Sequence, residues 1–229
     1  MVVVIGDIHG CYFTLVELYS KVTKKYPGAE VYAVGDLVDR GNHSYNVIEF
    51  MMDEDIKFTA GNHDLMFSHF FTNPQSLFAR SWSMNGSETT LKSYEGRESV
   101  LREHINFINN ARLFYDTDDC FICHAGISNR YEAGLGVDFR KDLTKVYKLI
   151  ESDYMTDRGV LWTRDKLLNL GKLQIVGHTK HEEVSLDEDS NTLYIDTGAC
   201  VGNKLSCVVI EEGKLVETIS ESTHLNDII

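Results

Sequence analysis

The sequence is short of proline, of cations and of long apolar runs. Only two of its 229 residues are proline. Beside a hydrophobic content of 43%, that scarcity excludes a disordered, proline-rich chain and marks a folded one. No apolar stretch approaches the roughly 20 residues a membrane-crossing helix needs. The opening MVVVIGDIHG has no basic region and no cleavage site, and its apolar run is too short for a signal peptide. A cytoplasmic chain without a membrane partner is expected. Lys and Arg number 22 against 35 Asp and Glu, a net charge of −13. Without a basic run or basic helix, nucleic acid is not an expected partner. Phosphate esters stay open as substrates, because charge acts weakly beyond a Debye length of roughly 8 Å and local cations decide within a cleft. Five cysteines, odd in number and irregular in spacing, fit reduced thiols. Cys120 and Cys123 have C-x-x-C spacing but lie in a strand-like run, where positions three apart face opposite sides. Two separate buried thiols are expected there.

What the chain does have is a series of short β-branched runs: 2–5, 31–34, 121–122, 173–176, 192–195, 205–210 and 215–219. Helical spacing fits 14–25, with Leu15, Leu18 and Val22 on one face, and also 44–52, 98–110 and 143–150. The first half reads β-α-β-α-β. The last third reads as strands joined by turns such as DEDSN and EEGK, which predicts an α/β half followed by an antiparallel half within one domain, residues 1–229. Residues 73–97 read as an irregular insertion with some helix, of a length often found in lids and substrate-facing elements. The same substrate-shaping role is expected of residues 129–158.

Five motifs carry the chemistry: GDIHG (6–10), GDLVDRG (35–41), GNHD (61–64), HAG (124–126) and GHT (177–179). Each follows a strand-like run, and ligands of α/β sheets gather beyond the carboxyl ends of strands. A lone D-x-H or H-A-G is ordinarily a turn or a core histidine. Five such motifs, each with a ligand-type residue at a strand end, point instead to one shared crevice. If the chain is still extended at Asp7 and His9, the two face the same side and can share a cation. Asp36 adds a carboxylate, Asn62 a carbonyl oxygen, His124 and His178 two imidazoles. Mixed O and N donors without thiolate suit Mn, Fe or Zn better than Ca. Six donors are too many for one catalytic ion that keeps open positions, so two ions bridged by Asp36 fit better. Such pairs activate a bridging water for in-line attack on phosphorus. His43, His69, His104, His181 and His224 have no such setting and are expected to pack or face solvent.

The motif series, in this order and over residues 6–179, resembles the signature of the PPP metallophosphatases, most of all the small bacterial and phage serine/threonine protein phosphatases of the bacteriophage lambda phosphatase type. WSMNG (82–86), LWTRD (161–165) and YIDTGA (194–199) extend the likeness. Asp64 stands where the family usually has glutamate, with little expected consequence. The resemblance implies an α/β fold with two mixed β-sheets packed as a central sandwich flanked by helices. It implies that Asp7, His9 and Asp36 hold one ion and Asp36, Asn62, His124 and His178 the other, with Mn the expected metal and Fe or Zn as alternatives. It makes His63 the general acid, Asp39 its partner, and Arg40 and Arg164, with Asn62, the groups that bind phosphate; Asn85 would line the entrance. A general acid must be protonated near neutral pH, which a carboxylate partner favours. The implied activity is hydrolysis of phosphoserine and phosphothreonine, with phosphotyrosine also accepted, by a monomer acting on phosphorylated proteins or peptides. The alternative is a symmetrical dinucleoside tetraphosphate hydrolase or another small-molecule phosphoesterase. In that group the position of Asp39 is typically alanine, in keeping with a phosphate leaving group that needs less acid help. A non-enzymatic scaffold would lack some ligand or the acid, and none is missing here.

Overall fold

Alternation along one strand sets the layers of the structure, a computed structural model that describes residues 1–228. In β1 (Val2–Ile5) all four residues are buried. Val3 and Ile5 pack with helix residues such as Leu15 and Leu18, while Val2 and Val4 pack with Ile122, Ile175 and Leu193 of a second sheet. A strand covered on both faces has to read as an unbroken apolar run, and VVVI does.

The chain continues through α1 (Tyr12–Lys25), β2 (Glu30–Ala33), α2 (Ser44–Asp53), β3 (Lys57–Phe58), α3 (Asn62–Thr72), α4 (Leu77–Trp82), α5 (Ser87–Ser93) and α6 (Leu101–Asn109). Then come β4 (Phe114–Asp116), β5 (Phe121–Cys123), α7 (Glu132–Leu135), α8 (Thr144–Asp153), β6 (Gln174–Val176), β7 (Ser185–Asp187), β8 (Thr192–Tyr194), β9 (Lys204–Glu211) and β10 (Lys214–Ser222). The first sheet has the order β10-β9-β1-β2-β3 and the second β4-β5-β6-β8-β7. In the first, β1, β2 and β3 are parallel, and β9 runs antiparallel to both of its neighbours, β1 and β10. In the second, β5, β6 and β8 are parallel, with antiparallel strands at both edges. The two sheets stack on a shared apolar layer, and α1, α2, α3 and α6 cover one outer face while α8 covers the other. This is the sandwich the motifs imply.

The expected antiparallel C-terminal half is corrected. β6, β7 and β8 build the second sheet, whereas β9 and β10 return to the first, where Val2 pairs with Ile210 and Ile5 with Cys207. The physical reason is burial: Leu205 through Ile210 are all buried, so β9 needs cover on both faces. Strands β3, β4 and β7 gave no sequence signal because they hold two or three residues each and lie at sheet edges. Residues 129–158 pack Phe139, Val146 and Ile150 onto the second sheet. Cys120 joins the layer between the sheets and Cys123 the outer layer, both as free thiols. Among the described residues no helix is long and apolar enough to cross a membrane.

Candidate active site

Three parallel strands of one sheet and two of the other end at the same rim, and the loops beyond them carry the five motifs. Hydrogen bonds tie these loops together. Ile8 and His9 donate their N–H groups to the Asp36 carbonyl (3.2 and 2.8 Å), and Gly10 to that of Leu37 (2.9 Å). The Asp64 carboxylate accepts from Leu37 (2.9 Å) and from Gly61 (3.0 Å), fastening the second loop to the start of α3. Burial, with Asp36 beside it, pushes the Asp64 carboxyl up to about 7. The His178 N–H reaches Asp7 Oδ2 at 3.0 Å and so joins a loop of the second sheet to one of the first. Two glycines make these approaches possible. A Cβ on Gly61 would lie 2.1 Å from Asp36 Oδ1, and one on Gly177 1.8 Å from Asp7 Oδ1. Among the described residues eight that are not glycine have positive φ, and five of them are here: His9, Asp36, Asp39, Arg40 and His178. Backbone strain of this kind gathers where surroundings over-determine a functional geometry. It also corrects one route of inference: at His9 (φ 46°) the chain has left the extended form, so strand alternation is not what brings His9 toward Asp7.

The histidines are aimed by backbone carbonyls. His9 Nδ1–H donates to Val38 O and His124 Nδ1–H to Val34 O, each at 2.8 Å. In the neutral rings this leaves both Nε2 lone pairs pointing inward. His9 Nε2 lies 3.4 Å from Asp36 Oδ2, and His124 Nε2 lies 3.6 Å from Asp36 Oδ1 and 3.0 Å from Asn62 Oδ1. His178 Nδ1 lies 2.9 Å from the same Asn62 oxygen. Two overlapping groups result, His9–Asp36–His63 and Asp36–His124–His178, with ligand atoms within 4.8 Å of one another. Asp7 stands outside both tight groups but lines the same pocket. Burial pulls His9 and His178 down to about 3, so both rings stay neutral. Burial first, then Asp196 and Asp36, raises the Asp7 carboxyl well above its ordinary range. Burial opposes charge on Asp36 too, but the surrounding histidines outweigh it and hold that carboxyl low. Acceptor facing acceptor around buried carboxylates is a donor set for cations, and its shared Asp36 fits two hard or borderline divalent ions.

Beside this set stands the proposed acid. His63, in the first turn of α3, donates its backbone N–H to Asp36 Oδ1 (2.9 Å) and its Nδ1–H to Asp39 Oδ2 (2.7 Å). Burial works against a charged His63, yet Asp36 and Asp39 overcome it and the net shift is upward. The Arg40 fork spans two rings, with Nη1 2.9 Å from His9 Nε2 and Nη2 3.0 Å from His63 Nε2. Arg164 is exposed at the rim, and among the described residues its side chain makes no hydrogen bond or ion pair. The pocket measures about 220 Å³ and also includes Ser81, Asn85, Met66 and Trp162 in its walls. A larger cavity of about 430 Å³ lies between α3, α6 and α8 and contains no such cluster. Ser81 and Asn85 come from the 73–97 segment, as expected of a substrate-facing element. Residues 129–158, expected to do the same, contribute nothing to the pocket.

Sequence reasoning gave no role to three residues of the site. Trp82 and Thr90 hydrogen-bond to Asp39. Asp196, after β8, adds a third buried carboxyl near Asp7 and Asp36. Trp82 and Asp196 lie in the motifs WSMNG and YIDTGA, which carried the likeness without giving either residue a role; Thr90 lies in none of the motifs.

A family model described as calcineurin-like phosphoesterase matches residues 1–206. The bis(5'-nucleosyl)-tetraphosphatase PrpE [asymmetrical] of Bacillus mycoides (strain KBAB4) is 29% identical over 97% of this chain and 94% of its own. Its namesake from Bacillus cereus (strain B4264) is 30% identical over the same shares. Among solved structures, the cold-active protein-tyrosine phosphatase of a psychrophilic Shewanella shares the fold, with a TM-score of 0.66 at 18% identity over 97% of this chain and 80% of that one.

Proposed function

The chain belongs to the calcineurin-like phosphoesterases, and on that footing we propose that it hydrolyses dinucleoside tetraphosphates asymmetrically, adding water to release a nucleoside triphosphate and a nucleoside monophosphate. The observation that carries this reading is the full-length likeness to relatives named bis(5'-nucleosyl)-tetraphosphatase, which align with nearly the whole chain. It favours the alternative over the phosphoprotein phosphatase suggested by the motifs, and the relatives' names support asymmetrical cleavage in place of the symmetrical cleavage given with that alternative. One observation keeps the second reading alive. Asp39 lies 2.7 Å from His63, the arrangement that helps most when the leaving group is a poor one such as serine alkoxide.

Asp7, His9, Asp36, Asn62, His124 and His178 would hold two divalent ions, Mn before Fe or Zn, and these would polarise the phosphoryl oxygens and lower the pKa of the attacking water. The chain's own residues do the rest. Arg40 and Arg164 present guanidinium forks suited to bidentate grip on phosphate oxygens. An arriving phosphate draws the Arg40 fork away from His63 Nε2, freeing that nitrogen to carry a proton toward the leaving oxygen. Asp39 holds the opposite ring nitrogen and keeps the ring aimed. The reading takes residues 1–229 as one catalytic domain, a monomer in the cytoplasm, engaging neither nucleic acid nor membrane.

The test is a substrate panel on the purified chain with Mn: diadenosine tetraphosphate, a phosphoserine peptide and a phosphotyrosine peptide, with nucleotide products separated by chromatography. ATP and AMP in equal amounts, at the highest kcat/KM of the panel, support the proposal. A higher kcat/KM on either phosphopeptide puts the second reading in its place. Two equivalents of ADP would restore symmetrical cleavage.

A further inference from the structure

The acid pair has a mount of its own. Asp39 is fully buried, so its carboxylate is held by protein groups. Trp82 Nε1–H sits between the two oxygens, 3.0 Å from Oδ1 and 2.9 Å from Oδ2. The Thr90 hydroxyl donates to Oδ1 at 2.8 Å, which leaves Oδ2 for His63. The same hydroxyl accepts the Asp39 backbone N–H at 2.9 Å, so one threonine fixes both the main chain and the side chain of Asp39. The backbone there is at φ 74°, a conformation that needs such support. Carboxylate torsions of aspartate are soft and roughly two-fold, and the donors around the group decide which oxygen points where.

We propose that Trp82 and Thr90 are positioning residues for acid catalysis: their donors set the plane of the Asp39 carboxylate and thereby the aim of His63. The inference rests on the reading of His63 as general acid. A tryptophan needed only for packing could turn its one N–H toward any carbonyl. Here a fully buried indole, packed against Phe67, Phe70 and Phe71 of α3, spends that N–H on both oxygens of the carboxylate that holds the acid. The packing partners belong to the helix that begins at Asn62 and His63, so Trp82 of α4 is packed directly on the element that carries the acid. The neighbouring Gly86 carbonyl accepts the Arg40 N–H at 3.0 Å, and Ser81 and Asn85 enter the pocket wall. The segment that reads in sequence as an irregular insertion therefore seats both Asp39 and Arg40.

The experiment is a leaving-group series of phosphate monoesters, from alkyl phosphates to p-nitrophenyl phosphate, assayed with Mn on the full chain. Trp82→Phe keeps the ring packing and deletes the donor. Thr90→Val deletes the hydroxyl at constant shape, and Thr90→Ser restores it. Trp82→Phe and Thr90→Val should each lower kcat about tenfold for the poorest leaving groups and little for p-nitrophenolate, a fraction of the roughly 10²–10⁴ that acid catalysis supplies. Thr90→Ser should follow the wild type. Added to Asp39→Asn, Trp82→Phe should leave the leaving-group slope where Asp39→Asn put it. Equal losses across the series, a lowered Tm with an unchanged slope, or an additive slope change in the Asp39→Asn background would each overturn the proposal. His63→Asn separates the two levels. If it steepens the slope while Trp82→Phe does not, this inference alone fails; if it does not steepen the slope, the acid reading falls and takes the inference with it.

Discussion

Gly177 has room for a hydrogen atom and no more. A methyl group there would sit 1.8 Å from Asp7 Oδ1, far inside any contact distance. Gly177→Ala should therefore push the Asp7 carboxylate out of the site although no candidate ligand is itself substituted. Metal titration is expected to show affinity falling by tenfold or more, in the range seen when groups orienting metal ligands are lost. Unaltered affinity would mean that the loop swings clear. This glycine illustrates what could be read at the residue scale. His9, Asp36, Asn62, His124 and His178 were legible because each lies in a glycine-containing loop just past a strand, and the chemistry of the set pointed to a cation. The roles of Trp82 and Thr90 were not, because they meet Asp39 across 43 and 51 residues, and the motif WSMNG that holds Trp82 does not show what its N–H binds. Asp7 was legible as a member of the set but not in its geometry, since it reaches the cluster through the His178 backbone N–H.

The first helix shows the same division between local and distant causes. Its buried face, Leu15, Leu18 and Val22, is plain from spacing. Its cap is not, because it comes from the other end of the chain: Asp227 accepts from the N–H groups of Phe13 (3.0 Å) and Thr14 (2.9 Å) and from the Thr14 hydroxyl (2.6 Å). No residue adjacent to α1 does this work: Cys11 at the cap position makes no capping side-chain bond, its thiol turning to the His9 carbonyl instead. Asp227→Ala should remove about 2 kcal/mol of stability, by the loss of a helix cap and of charge-assisted hydrogen bonds. In a chain of this size that lowers Tm by roughly 4–8 °C, to be measured by thermal unfolding. A change within error would make the C-terminal turn a passenger. Helix α3 was hidden for a related reason: it opens with Asn62, His63 and Asp64, weak helix formers that are there for the site, and Asp64 stabilises the turn through the Gly61 N–H.

At the scale of the whole molecule, the pocket belongs to neither sheet. Asp36 and Asn62 come from the first, His124 and His178 from the second, and ions between them would bind only the folded chain. Mn should then raise Tm over a chelated sample, by RT ln(1 + [L]/Kd), or about 2.7 kcal/mol at a hundredfold excess over Kd. The pH dependence follows from Asp7. Its carboxyl titrates well above the ordinary range, and an ion needs the carboxylate. The gain is therefore complete above that raised pKa and declines as pH falls through it, whereas His9 and His178, at about 3, stay neutral and do not compete. Paired unfolding curves with Mn and with chelator, from neutral to mildly acidic pH, check this; a constant gap would remove Asp7 from the ligand set. The order of the strands was the part of the fold least visible in the sequence, since apolar runs show which segments are buried but not which neighbour buries them. That order bears on how the protein comes into being. Gly6, which opens the first catalytic loop, donates its N–H to Ser206 in β9, and β1 lies between β2 and β9. A ribosome delivers β1 long before β9. The nascent chain carries all six candidate ligands once His178 is made, yet the loop bearing Asp7 and His9 still lacks its second flanking strand until β9 emerges.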